Sequence, residues 1–176
     1  MTMLGIVVYV TGTALLITNL AGTALAAHRL TANIVHLLVA YLWMLVPAVI
    51  APIILATTGK LPTGEVEAAA VSGLIAGWVL QIVLGALPLR LRDLRQRTTG
   101  WDGFWGSVVL LNAGVLVIWV SAFVSSVDLA STLTVLGYAL IVVASLPPLV
   151  AILKLLLTGP KREAPEPLPA EISTHS

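Results

Sequence analysis

Within its long apolar runs the chain keeps few groups able to do chemistry, and their types limit what that chemistry could be. No Asp, Glu, Lys or Arg falls near the middle of such a run; what remains is Asn19, Asn33, His36, Gln81 and Asn112, with several Ser and Thr. A proton relay or an ion path built from carboxylates is therefore not expected. His36 is the single imidazole embedded in an apolar run, able to hydrogen-bond or to ligate a metal or haem iron through one ring nitrogen. Asn33, Gln81 and Asn112 are candidate donors around a group held by His36. The competing reading is interhelical hydrogen bonding alone, each contact worth about 0.6 kcal/mol in a membrane. With no cysteine, the chain has no disulfide, iron–sulfur ligand, thiolate-ligated haem or covalent c-type haem attachment. His28, next to Arg29, reads as an interfacial residue, and His175 falls in the tail.

These groups need helices to position them. Charged residues are 10% of the chain and hydrophobic ones 59%, against about 25% charged in a soluble domain. Five segments reach the roughly 20 apolar residues that a bilayer core requires: Leu4–Ala27, Ala32–Thr57, Ala68–Leu89, Phe104–Val127 and Thr132–Leu157. The expected fold is an all-α polytopic transmembrane bundle, residues 1–158, followed by a disordered cytoplasmic tail over 159–176. Leu61–Gly64 reads as a turn and Val127–Ala130 as a tight connection; Pro88 is expected to end the third helix. Pro47 and Pro52 are expected to kink the second helix, and Pro147–Pro148 to bend or interrupt the fifth.

Loop charge sets the expected orientation. Arg29, then Arg90, Arg92, Arg95 and Arg97, then Lys154, Lys161 and Arg162 share one side of a five-span topology; the other carries Lys60 beside Glu65, Glu67 and Asp128. The positive-inside rule then places the N-terminus outside and the C-terminus inside. Trp101 and Trp105 fit interfacial anchors at the basic boundary. The basic loop RLRDLRQR reads as a topology determinant before a lipid contact, and no nucleic-acid partner is expected.

At about 1.5 Å per residue, Asn19, His36, Gln81 and Asn112 all fall in the cytoplasmic half of their helices, which predicts one polar layer shared by four of them. Spacing supports close packing there. Gly5, Gly12 and Asn19 recur every seven residues; Asn33, His36, Ala40, Trp43 and Pro47 form one stripe; Gly73, Gly77, Gln81 and Gly85 recur every four. Gly73, Gly77 and Gly85 form a small-residue seam suited to interhelical approach.

The runs TANIVHLLVAYLWMLVPAVIAP, GWVLQIVLGALPLRLR and LLNAGVLVIW resemble segments of haem–copper oxidase subunit I-like membrane proteins, above all the short, divergent relatives described as cbb3-type. The resemblance covers Thr31 to Trp119 and implies a haem-ligating histidine at His36. It implies neither the copper site nor a histidine–tyrosine pair, because this chain has one intramembrane histidine where an oxidase subunit has a set.

Three functions follow as expectations. The first is an integral membrane subunit of a redox or respiratory-type complex, binding haem through His36 and transferring electrons, with a second copy supplying the other axial ligand. The second is a non-catalytic structural or assembly subunit packed against partner helices or in a homo-oligomer. The third is a small-solute carrier or channel. The expected setting is the cell membrane, a prokaryotic plasma membrane by default.

Overall fold

In a bilayer every backbone N–H and C=O must find its partner inside the protein, which leaves the helix as the available form for apolar runs of this length. The computed structural model describes residues 2–26, 30–62, 64–94 and 104–157, and every regular element among them is helical. The helices are α1 (Thr2–Ala26), α2 (Ala32–Thr58), α3, α4 (Trp105–Ser121) and α5 (Val127–Leu157). Helix α3 joins three consecutive segments: α-helical Glu65–Ser72, π-helical Gly73–Leu80 and α-helical Gln81–Leu94. The bundle is all-α. Four helices are long and apolar enough to cross a membrane, and the fifth, α4, is apolar with 17 residues, about 25 Å of rise.

Local chemistry sets the helix ends. Thr31 caps α2, its Oγ1 accepting from the Ile34 N–H at 3.4 Å, and Gly59 closes it in the left-handed region (φ 69°) with its N–H on the Leu55 carbonyl. Gly64, also at positive φ (62°), leads into α3, whose first turn carries Glu65 and Glu67, favourable at a helix N-terminus.

The connection expected at Val127–Ala130 lies instead at 122–126, and Val127 already begins α5. The Ser126 hydroxyl accepts from the Leu129 N–H, its carbonyl accepts from the Ala130 N–H, and Asp128 sits in the first turn. That Ser-x-Asp pattern is a helix start rather than a turn.

One proline also behaves differently from expectation. Pro88 does not end α3, which continues to Leu94, and Pro147–Pro148 do not interrupt α5. Each proline removes one backbone hydrogen bond, a loss that packed membrane helices tolerate; Pro88 and Pro148 are themselves buried. Helix α2 contains Pro47 and Pro52, where a kink and not an end was expected, and is continuous through both. The expected tail, together with His28, Trp101, Thr158 and His175, lies outside the described residues, as do the side chains of Arg92, Arg95 and Arg97.

Successive helices run antiparallel, and α3 is sandwiched between α2 and α4. Gly77 faces Trp43 of α2 and Gly85 faces Asn33 and Leu37, whereas Gly73 faces Trp119 of α4. Helices α4 and α5 approach closely at Gly114 and Gly137, with Ser121 and Thr134 hydrogen-bonded at 2.9 Å. Ser72 of α3 bonds the Tyr138 hydroxyl of α5 at 2.7 Å. Helix α1 lies outside this set, against α2, where its Tyr9 hydroxyl donates to the Met44 carbonyl at 3.3 Å. The core is built from Trp43, Leu84, Leu111, Val115, Ile118 and Trp119, joined by Ile141 and Ala144 of α5.

A Cβ at Gly114 would stand 2.7 Å from the Gly137 carbonyl oxygen, a backbone atom with nowhere to go. Gly114→Ala is expected to destabilise the bundle by roughly 1–3 kcal/mol in detergent-unfolding titrations. Gly12→Ala, with open space around it, is expected to be neutral or slightly stabilising.

Candidate functional site

Three helices bring their polar side chains to one place. His36 on α2 is 2% exposed, Gln81 on α3 is fully buried and Asn112 on α4 is half-buried. His36 Nδ1 lies 3.2 Å from Gln81 Oε1, and Gln81 Nε2 donates to Asn112 Oδ1 at 3.0 Å. Trp43, two turns after His36, donates its indole N–H to the same Asn112 Oδ1. Asn112 Nδ2 donates to the Val108 carbonyl at 2.7 Å.

The direction of this chain of bonds is fixed from its far end. An indole N–H can only donate and a backbone carbonyl can only accept. Asn112 must therefore turn its oxygen to Trp43 and its nitrogen to Val108. Gln81 then has to present its nitrogen to Asn112, which aims Oε1 at His36. The imidazole can meet that oxygen only as a donor, so His36 carries a proton on Nδ1 and, as the neutral ring, keeps its lone pair on Nε2. Two residues without a choice thus set the tautomer of a third.

Backbone geometry places Gln81 at this point. Four residues of α-helix turn about 40° past a full circle, so a four-residue repeat drifts round the helix. The π-helical segment has a wider turn, with i→i+5 bonds, and opposes that drift over Gly73, Gly77 and Gln81. The glycines are needed for approach. At Gly77 a Cβ would lie 2.6 Å from Trp43 Cγ, and at Gly85 2.7 Å from the Asn33 carbonyl oxygen. The seam over Gly73, Gly77 and Gly85 therefore packs against this chain's own α2 and α4.

Other expected members are elsewhere. Asn33 is buried one turn from His36, yet among the described residues no hydrogen bond joins its side chain to the network. Asn19 is exposed on α1, so the polar layer draws on three helices and not four. Among the described residues nothing lies within 4 Å of a Cβ at Gly5 or Gly12, which leaves the Gly5–Gly12–Asn19 stripe unpacked by them. Trp43 is the member that residue types alone undervalued. Its place on the His36 stripe was a signal, but its hydrogen-bonding role depends on α4.

A groove of about 450 Å³ opens between α2 and α4 beside the network, with Trp43 and Asn112 in its wall and exposed Leu42, Val109 and Leu116 at its rim. Elsewhere in the core the indole nitrogens of Trp78 and Trp119 and the Ser107 hydroxyl are buried without partners. Among the described residues no three His, Cys, Asp or Glu side chains converge as a metal-binding group. The arrangement can donate, accept and hold helices together, and its sole imidazole offers a single nitrogen.

If Asn112 is the shared acceptor, Trp43→Phe should cost less stability in an Asn112→Leu background than in the wild type. The coupling expected from the double-mutant cycle, read in detergent-unfolding titrations, is roughly 0.6–1.7 kcal/mol. No protein-family model, curated protein or solved structure matches this chain.

Proposed function

We propose that the chain is a non-catalytic, membrane-embedded subunit that works by packing against another membrane helix through α1. The observation that carries this reading is the stripe Gly5–Gly12–Asn19. His36, Gln81 and Asn112 are consumed by one another inside the bundle, whereas Asn19 turns outward from a span of 20 residues. An amide facing hydrocarbon gains by finding a partner, and glycines on the same stripe let a second backbone come close. No comparable outward amide occurs on the described parts of α2 to α5.

A photo-crosslinking residue at Val8, on this stripe and 64% exposed, tests the reading in native membranes. A discrete protein adduct is expected from position 8, lost when Asn19→Leu is added. Position 143 on α5, 54% exposed, is expected to give only lipid adducts. Adducts absent from position 8, or unaffected by Asn19→Leu, would contradict the proposal.

A second reading keeps the redox role that the resemblance to oxidase subunits implies, with His36 as an axial haem ligand. The support is the tautomer: with Nδ1–H held by Gln81, the Nε2 lone pair is the one a metal would take. The ring is enclosed by its own chain at 2% exposure, so pairing with the His36 of a second copy would require the helices to part. Protein purified from haem-replete cells is then expected to show a Soret band that His36→Ala removes; a featureless spectrum would end this reading.

A further inference from the structure

The outward side of α1 carries more than small residues. Gly5, Gly12 and Asn19 recur every seven residues, and Val8, Leu15 and Gly22 follow each of them by three. All six are exposed, Val8 and Leu15 each at 64%. Alternating steps of three and four are the seam of two helices wound round each other in a left-handed supercoil. From Gly5 to Gly22 is about 26 Å of helical rise, most of the roughly 30 Å hydrocarbon core. At about 100° per residue the seam lies about 140° round the helix from the stripe that meets α2, where Thr13 and Ala24 are buried and Ile17 and Leu20 half-buried. A second helix can therefore dock on α1 without displacing α2. Among the described residues the Asn19 side chain makes no hydrogen bond.

Resting on the reading of α1 as a docking helix, we infer that its partner is α1 of a second copy of this chain, in a parallel, symmetric pair joined by Asn19 against Asn19. Copies of one chain insert with the same orientation, so their α1 helices run parallel. A two-fold axis along the membrane normal then sets each seam residue opposite its own counterpart, at equal depth. An amide both donates and accepts, so the two Asn19 side chains satisfy each other with no further group. A different partner would need a polar group of its own at that depth, whereas a second copy has one already. Gly5 and Gly12 admit the close approach, and Val8 and Leu15 pack across the axis. A single asparagine in an apolar seam also fixes the register of paired helices.

The chain has no cysteine, so a single introduced cysteine reports contact between copies without background. The test is disulfide trapping of the full chain in native membranes, oxidised with copper phenanthroline. Val7 and Val8 are neighbours at nearly the same depth, 60% and 64% exposed, but only Val8 lies on the seam. Val8→Cys is expected to give a disulfide-linked dimer, and Val7→Cys to give little. Adding Asn19→Leu to Val8→Cys should weaken pairing roughly three- to twentyfold, the worth of one interhelical hydrogen bond in a membrane. Gly12→Leu, at a position that no described residue crowds within the single chain, should also lower trapping by holding the helices apart. Equal trapping at positions 7 and 8, trapping at 8 that survives Asn19→Leu, or indifference to Gly12→Leu would each overturn the pair. No trapping at position 8, together with a photo-adduct there whose mass is not twice that of the chain, would overturn the second copy and leave α1 a docking helix for another protein. Absence of both products would overturn that reading along with the inference.

Discussion

A hydrogen-bond donor buried in a membrane protein has no water to fall back on, and the indole N–H of Trp43 is such a donor. Its acceptor is Asn112 on another helix, and everything in the polar cluster follows from that requirement. Asn112 is oriented by it, Gln81 by Asn112, and His36 by Gln81. The cost of leaving any one of these groups unpaired exceeds the modest gain from pairing it, so the cluster specifies helix register more than it adds stability. Helices α2, α3 and α4 cannot rotate or slide independently without stranding an amide or an imidazole.

Such a lock closes only if the helices come near enough, and the glycines decide that. Gly77 accepts the Trp43 ring and Gly85 the backbone of α2, on either side of the Gln81–His36 bond. The π-helical stretch keeps this four-residue series facing its neighbours. Packing and polarity are thus one device: small residues admit the partner helix, and amides then fix its register. The same logic makes the outward Asn19 conspicuous, because it repeats the chemistry of the interior on a surface that no described residue of this chain covers.

Much of this was legible in the residues. Helix α2 was expected over Ala32–Thr57 and ends one residue later, because apolar length and a threonine cap are local signals. The common depth of His36, Gln81 and Asn112 also followed from counting residues along each run. What counting could not give was rotation about the helix axis. Asn19 shares the depth of the cluster but points away from it, since the facing of α1 is set by packing and not by its own pattern. Asn33 shares the His36 stripe yet misses the network for a similar reason, the approach of Gly85 being to its backbone. Pro88 misled because rules learned in water overstate what one lost hydrogen bond does between packed membrane helices. The π-helical turn has no residue signature that would have announced it.

The claim on which the rest depends is that a directed chain of hydrogen bonds fixes the proton of His36 on Nδ1. Nitrogen-15 NMR of histidine-labelled protein in lipid measures this directly, with the His36 resonances assigned by their absence in His36→Ala. The account predicts a proton-bearing Nδ1 and an Nε2 with the shift of a bare lone pair, reversed or averaged when Gln81→Leu removes the acceptor. A proton on Nε2 in the intact protein, or an Nδ1–H tautomer indifferent to Gln81, would contradict it.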